Sequence, residues 1–310
     1  MKATTYILLL LLPFLPVKLA AQGCSDAGIC TAPGQTDVAA DGAADTLRRN
    51  MLGVTASWGL GEQAVSVFQV IPEAEFFLGA NIRFQVKVPY SYATGNLGKA
   101  QGIGDITAGF SWTKSIRKNA LLRFSVLTKL PAGKTNRGSY LLPLPMPYQP
   151  GLGTTDLIGA VAFNYKTWSF SGAYQHVLRH ANNNMFLHNA WPLNEDAMLY
   201  FESARLKRGN DVLLRAAKNF TRNRFTITPG MLLLYRLQED EVNGAAVKGA
   251  DGITVNATAR FMYRMPGNSS FALLAGSPLV VRDVRPDGLT RALVINITYI
   301  YPFHLKQQQP

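Results

Sequence analysis

The histidines His176, His180 and His188 are the side chains best suited to metal or acid–base chemistry. On a helix, His176 and His180 could share a metal at i, i+4. On a strand they stand about 13 Å apart at roughly 3.3 Å per residue and share nothing. Hydrolysis would need a nucleophile beside such a histidine, and in His180-Ala181-Asn182-Asn183 an asparagine stands where the attacking hydroxyl is required. Cys24 and Cys30 are the only thiols, and five residues separate them. That spacing excludes a CxxC redox pair or a zinc set and leaves a small local disulfide in an oxidising compartment. These residues predict no enzyme, no metal site and no cofactor.

The other chemistry in the chain is charge, and its placement is periodic. Around Ile82, the residues Ile82, Phe84, Val86, Val88 and Tyr90 fall on one face and Asn81, Arg83, Gln85 and Lys87 on the other. The split recurs with Ile106, Ala108, Phe110 and Trp112 against Asp105, Thr107, Ser111 and Thr113. It returns with Ala120, Leu122, Phe124 and Val126 against Arg123, Ser125 and Lys129, and with Val255, Ala257, Ala259, Phe261 and Tyr263 against Asn256, Thr258, Arg260 and Arg264. One face suits lipid and the other water. A charge facing lipid at mid-depth costs about 2–4 kcal/mol, so Glu73, Glu75, Arg83, Lys87, Asp105, Arg123, Lys129, Arg260 and Arg264 are expected to face a lumen. A hairpin turning near Gly79 would set Glu75 opposite Arg83 and Glu73 opposite Gln85.

The elements that must position these charges are strands. Candidates lie at 51–60, 65–77, 80–91, 104–114, 119–130, 155–165, 167–177, 197–207, 210–220, 224–237, 253–264, 270–281 and 290–301. A single-chain bacterial barrel takes an even number, so one candidate is surplus. The expectation is an all-β, antiparallel up-and-down transmembrane barrel of about twelve strands, with fourteen as the alternative. Short turns at 79–80, 115–118, 208–210 and 265–269 interleave with longer segments at 92–103, 131–153, 179–196 and 238–252, the habit of outer-membrane barrels. Aromatics near strand ends (Tyr90, Tyr92, Trp112, Trp168, Tyr174, Trp191, Tyr263, Tyr299, Tyr301, Phe303) would form interfacial girdles.

Composition agrees. Only 16% of residues are charged, against roughly 25% in soluble domains, yet beyond residue 21 no apolar run is long enough for a transmembrane helix. Residues 1–21 have the layout of a cleaved secretory signal, with Lys2, an apolar run at 6–17 and small residues ending at Ala21. Residues 22–50 are small and polar and read as a flexible periplasmic extension. The barrel would span 51–303, and 304–310 form a polar tail. Export removes nucleic acid as a partner for the net charge of +12. Basic residues in the lumen or at the rim would instead favour anionic solutes or lipopolysaccharide phosphates, with outer-membrane lipid as the surroundings. The proline-rich stretch 141–150 is stiff and unusually apolar for a loop, suiting either an inward lid or a partner-binding surface.

The segment Gly102-Ile103-Gly104-Asp105-Ile106 resembles a GxGD signature of the outer-membrane family grouped as MetA-pathway phenol-degradation-like proteins, distant relatives of fatty-acid and aromatic-hydrocarbon channels. The agreement extends to Leu130-Pro131-Ala132-Gly133 and to Gly151-Leu152-Gly153-Thr154-Thr155-Asp156, across about 51–303. Physically, Gly102 and Gly104, like Gly151 and Gly153, would permit positive φ where a loop enters a strand, and Asp105 could accept nearby backbone amides. The resemblance implies a passive outer-membrane channel for small molecules, apolar ones included. A closed structural or assembly barrel with a side-chain-filled lumen is the alternative. An outer-membrane lipase is a weaker third, because the histidine stretch resembles the phospholipase pattern His-x-Ser-Asn-Gly only without its serine.

Overall fold

Strands that alternate apolar and polar side chains satisfy their backbone in lipid only if the sheet closes on itself, and this one does. The computed structural model describes residues 49–289 and 291–303. It is a closed antiparallel barrel of twelve strands. They are β1 (Asn50–Gly61), β2 (Ser66–Gly79), β3 (Ile82–Lys87 continuing as Tyr90–Gly95), β4 (Gly98–Ile103 continuing as Ile106–Arg117), β5 (Ala120–Leu130) and β6 (Thr154–Tyr165). The chain continues through β7 (Trp168–His180), β8 (Asp211–Lys218 continuing as Phe220–Arg222), β9 (Phe225–Arg236), β10 (Gly252–Arg264), β11 (Ser270–Val280) and β12 (Arg291–Phe303). Each strand pairs with its neighbours in sequence, and β1 closes on β12 from Asn50↔Phe303 to Gly61↔Arg291. Among the described residues no helix is long and apolar enough to cross a membrane.

The alternation is realised as a largely polar inside and an apolar outside. Val70, Phe110, Val126, Leu214 and Ile227 point outward and are about half exposed, while Gln69, Ser111, Ser125 and Thr228 of the same strands point inward and are buried. One end carries both barrel termini and short turns at 80–81, 118–119, 166–167, 223–224 and 265–269. Ala80 and Asn81 both have positive φ (48° and 64°), as a two-residue hairpin requires. Aromatics crowd this rim: Trp112 stacks on Phe124 at 5.9 Å, and Phe225 meets Tyr263 at 4.8 Å. Lys218 lies over the Trp168 and Phe220 rings, its stem in the apolar layer and its charge at the headgroups. The other end carries the long loops 131–153, 181–210, 237–251 and 281–289.

Several expectations need correction. The surplus candidate is 197–207, which is loop: a short 3-10 turn (Glu195–Leu199) and an irregular stretch. Its apolar spacing places Ala197, Tyr200, Ala204 and Leu206 in a buried loop core. Residues 208–210 end that same loop and make no hairpin. The segment 92–103, expected as a loop, is mostly hairpin, because its small residues let the outer ends of β3 and β4 pair Tyr90↔Ile103 through Gly95↔Gly98. The β2–β3 register is offset, with Glu75 opposite Gln85 and Glu73 opposite Lys87, because a bulge falls between Phe77 and Gly79. Trp191 is no girdle residue: it is buried among the loops, and its Nε1–H donates to the Pro143 carbonyl at 2.8 Å. The expected signal at 1–21, the extension with Cys24 and Cys30, and the tail at 304–310 lie outside the described residues, except that Asn50 already belongs to β1.

Candidate functional site

The sequence motifs meet at the mouth of the barrel. The ladder between β4 and β5 stops at Ile106↔Leu130, and there the chain leaves the wall and runs inward as loop 131–153. Asp105 ties both ends of that loop, accepting the Gly133 amide at 3.2 Å and the Leu152 amide at 2.8 Å. Its carboxylate can do so because Gly133 and Gly151 lie face to face. A side chain begun at Gly151 would stand 2.5 Å from Asp105 Oδ1 and 2.7 Å from Gly133 Cα. Gly104 is equally confined, by the Pro150 carbonyl and the Pro89 ring, each 2.9 Å away. The glycines therefore serve close approach. Of the four motif glycines only Gly153 has positive φ (69°), which corrects the turn-geometry expectation for Gly102, Gly104 and Gly151. Asp105 is thus a loop anchor and not part of the charged mid-wall.

Loop 181–210 locks this knot from the other side. Asn182 Nδ2 donates to the Leu152 carbonyl at 3.0 Å, and Asn184 Nδ2 donates to the carbonyls of Thr135 and Leu144 at 2.8 and 3.0 Å. The asparagine run beside His180 is therefore structural. Tyr148 accepts the Leu97 amide through its hydroxyl and meets the Tyr200 hydroxyl at 3.1 Å, and burial pushes both phenols above the usual range. Of the proline-rich stretch, Leu144, Met146 and Tyr148 are buried and only the tip at Tyr140 and Leu141 stands in solvent. The stretch is an inward lid.

The lid completes an apolar cluster on the β5–β9 side of the wall. Leu127, Ile158, Ala173, Leu213, Leu232 and Leu234 face inward, against the polar-in habit of barrel walls. They can because Met146, Leu152, Leu206, Val242 and Leu289 descend from the loops and keep water off them. Beneath the lid a cavity of about 50 Å³ is lined by Lys87, Asp105, Thr107, Lys129, Met146 and Arg291 among others. In the wall beside it Lys129 pairs with Asp156 at 2.6 Å, and the Asp156 carboxylate also accepts the Gln175 amide.

A second knot holds the remaining loops. Arg236, fully buried at the end of β9, donates to Asp211 (2.6 Å), to Asp287 (2.9 Å) and to Asp240. Arg208 bonds Asp211 at 2.7 Å, and Arg282 bonds Asp287 at 2.6 Å and the Ala250 carbonyl at 2.5 Å. All six side chains are at most 3% exposed. Burial alone would raise the Asp287 carboxyl, but Arg282, Arg236 and Arg208 outweigh it and hold Asp287 well below the usual range. Asp240 goes the other way, because burial and the nearby Asp287 charge exceed what Arg236 and Arg282 return. Stability from a depressed carboxyl is full above its unfolded value, about 3.9, and is lost as pH falls below it toward the native value. We expect resistance of loops 237–251 and 281–289 to pepsin to fall on acidification below about pH 4, and Asp287→Asn to flatten that dependence.

The remaining candidates sit on the inner wall nearer the short-turn end. Arg83 bonds Glu75 at 2.9 Å, Lys87 bonds Glu73 at 3.0 Å, and Arg123 donates to Thr113 at 3.2 Å. Arg123 and Arg260 are buried, and Arg264 is half-buried beside the 265–269 turn. Sequence reasoning missed Arg215, Arg236, Arg291 and the loop partners of Arg236. The signal available was positional: Arg215 and Arg236 lie on the inward register of leucine-rich β8 and β9. The histidines are dispersed: His176 stacks on Tyr174 on the outer face, and His188 Nε2 contacts the Tyr200 carbonyl at 2.8 Å. Among the described residues no cluster suits a metal ion.

No described protein family and no curated protein matches the sequence. Among solved structures, the chain is similar to an outer-membrane channel from Pseudomonas putida F1, with a TM-score of 0.62 at 13% identity over 82% of this chain and 95% of that one. The NanC porin aligns at a TM-score of 0.47 and 10% identity over 82% of this chain and all of that one, too distant to add weight. The fold is that of an outer-membrane β-barrel.

Proposed function

We propose that this chain is a passive outer-membrane channel for small molecules, apolar ones included, with a gate formed by its own inward loops. The observation that carries the reading is the apolar cluster: inward aliphatic side chains of β5–β9 met by Met146 and Leu152 from a lid whose two ends Asp105 ties together. Solute would pass that cluster and then a wall where Arg83, Lys87, Arg123, Arg215 and Arg260 outnumber Glu73 and Glu75, which favours anions or neutral molecules over cations. The three glycine motifs that resemble the MetA-pathway family converge on Asp105, which supports membership in that family. It says nothing of phenol.

Planar-bilayer recording of the refolded protein tests this, with heat-modifiable gel mobility showing that the barrel has formed. Discrete current steps with a reversal potential on the anion side are expected, and Arg123→Glu combined with Arg260→Glu should move that potential toward cations. A second reading, a closed structural barrel, draws support from the small cavity under the lid. Folded protein that never conducts, under any voltage or loop substitution, would favour it and sink the channel.

A further inference from the structure

On the outer face of the barrel, where β4 and β5 part, the protruding β3–β4 hairpin and the start of loop 131–153 enclose a cleft of about 680 Å³. Its floor grades in composition. The hairpin's outward residues pair Tyr90 with Ile103, then Tyr92 with Gln101, then Thr94 with Lys99, so the surface passes from apolar to cationic away from the membrane centre. Across the cleft stand Lys134 and Arg137, and no acidic side chain lines it. Lys99 and Lys134 are exposed, and Arg137 is half-buried with its Nε out of water and without a hydrogen-bond partner. Among the described residues none of the three has a carboxylate partner, whereas the arginines of the inner wall and the loop knot are bonded. The Arg137 backbone is held in place, because Gln149 brackets it through both its amide oxygen and nitrogen, and Arg137 Nη2 lies 3.2 Å from where a Gly102 side chain would begin.

We propose that this cleft binds the phosphorylated headgroup of an outer-leaflet glycolipid, its phosphate against Lys99, Lys134 and Arg137 and its acyl chains along Tyr90 and Ile103. The proposal rests on the loop end facing the outer leaflet, which the termini and short turns at the opposite end support. Charge complementarity selects the phosphate, because three converging cations without internal partners favour a multiply charged oxyanion. The apolar floor beside them selects a lipid over free phosphate.

The test uses the full-length protein in detergent, titrated with bis-phosphorylated lipid A and followed by native mass spectrometry. Lys99→Gln, Lys134→Gln and Arg137→Gln together should cut retained lipid A by about tenfold or more, with heat-modifiable mobility unchanged because two of the side chains are exposed and none bridges strands. Lys166→Gln with Lys218→Gln, at the opposite rim, should leave retention as in the parent protein. Dephosphorylated lipid A should bind the parent as weakly as phosphorylated lipid binds the triple variant. Equal retention by the triple variant, or equal binding of the dephosphorylated lipid, overturns the proposal without touching the channel reading, which current recordings decide separately.

Discussion

Replacing Arg236 by methionine should release loops 237–251 and 281–289 while the barrel itself survives. The methionine roughly fills the volume, so the loss is electrostatic: Asp211, Asp240 and Asp287 remain buried with Arg208 and Arg282 alone to hold them. Removing one partner from a buried ionic cluster typically costs about 3–5 kcal/mol. The lower figure already multiplies the open-loop population about a hundredfold. Trypsin at Lys248 and Arg285 provides the readout, since both sit in these loops. Faster cleavage at the two sites, with heat-modifiable mobility retained, is the expected result. Adding Asp240→Asn removes the carboxyl that burial already holds high, so the double variant should recover part of the loss and show a coupling a simple packing defect would not. Unchanged cleavage in R236M would mean the cluster is a passenger of the loop fold.

How much of this was legible in advance follows from the period-2 rule. Where a strand separates lipid from a polar interior, as at Ile82–Lys87 or Ile106–Arg117, side chains declare their face, and inward Arg83, Arg123 and Arg260 follow from cost alone. The rule fails where the inner face is dry. In β8 and β9 both faces are apolar, because Leu213, Leu232 and Leu234 pack under loops, so alternation there carries no direction and Arg236 is hidden at its end. It misleads where a loop has its own core: Tyr200, Ala204 and Leu206 mimic a strand because they are buried on one side. The glycine motifs were visible but misread. Glycine spacing shows that backbone must turn or approach, and only the partner segment, 15 or more residues away in the sequence, tells which.

The lid offers the second large effect. Gly151→Ala should convert a tightly gated barrel into one that conducts more freely. A methyl group at Gly151 would meet Asp105 Oδ1 at 2.5 Å and the Gly133 backbone at 2.7 and 2.9 Å. Backbone on one side and an anchored carboxylate on the other leave no flexible side chain to give way, and overpacking of this kind costs about 1–3 kcal/mol. Relief comes if 151–152 leave Asp105 and strain the Asn182 bond to the Leu152 carbonyl, which draws Leu152 out of the apolar cluster. Gly159→Ala is the control, since nothing lies within 4 Å of where its side chain would begin; its current should match the parent's. Asp105→Asn approaches the same state from the acceptor side, because an amide cannot take both the Gly133 and Leu152 N–H groups without turning its own NH₂ toward one of them. If G151A and D105N both raise single-channel current or open probability and Gly159→Ala does not, the lid is the gate. If both fold and both leave the current at the parent level, solute does not pass the apolar cluster under loop 131–153, and the route through the barrel must be sought elsewhere.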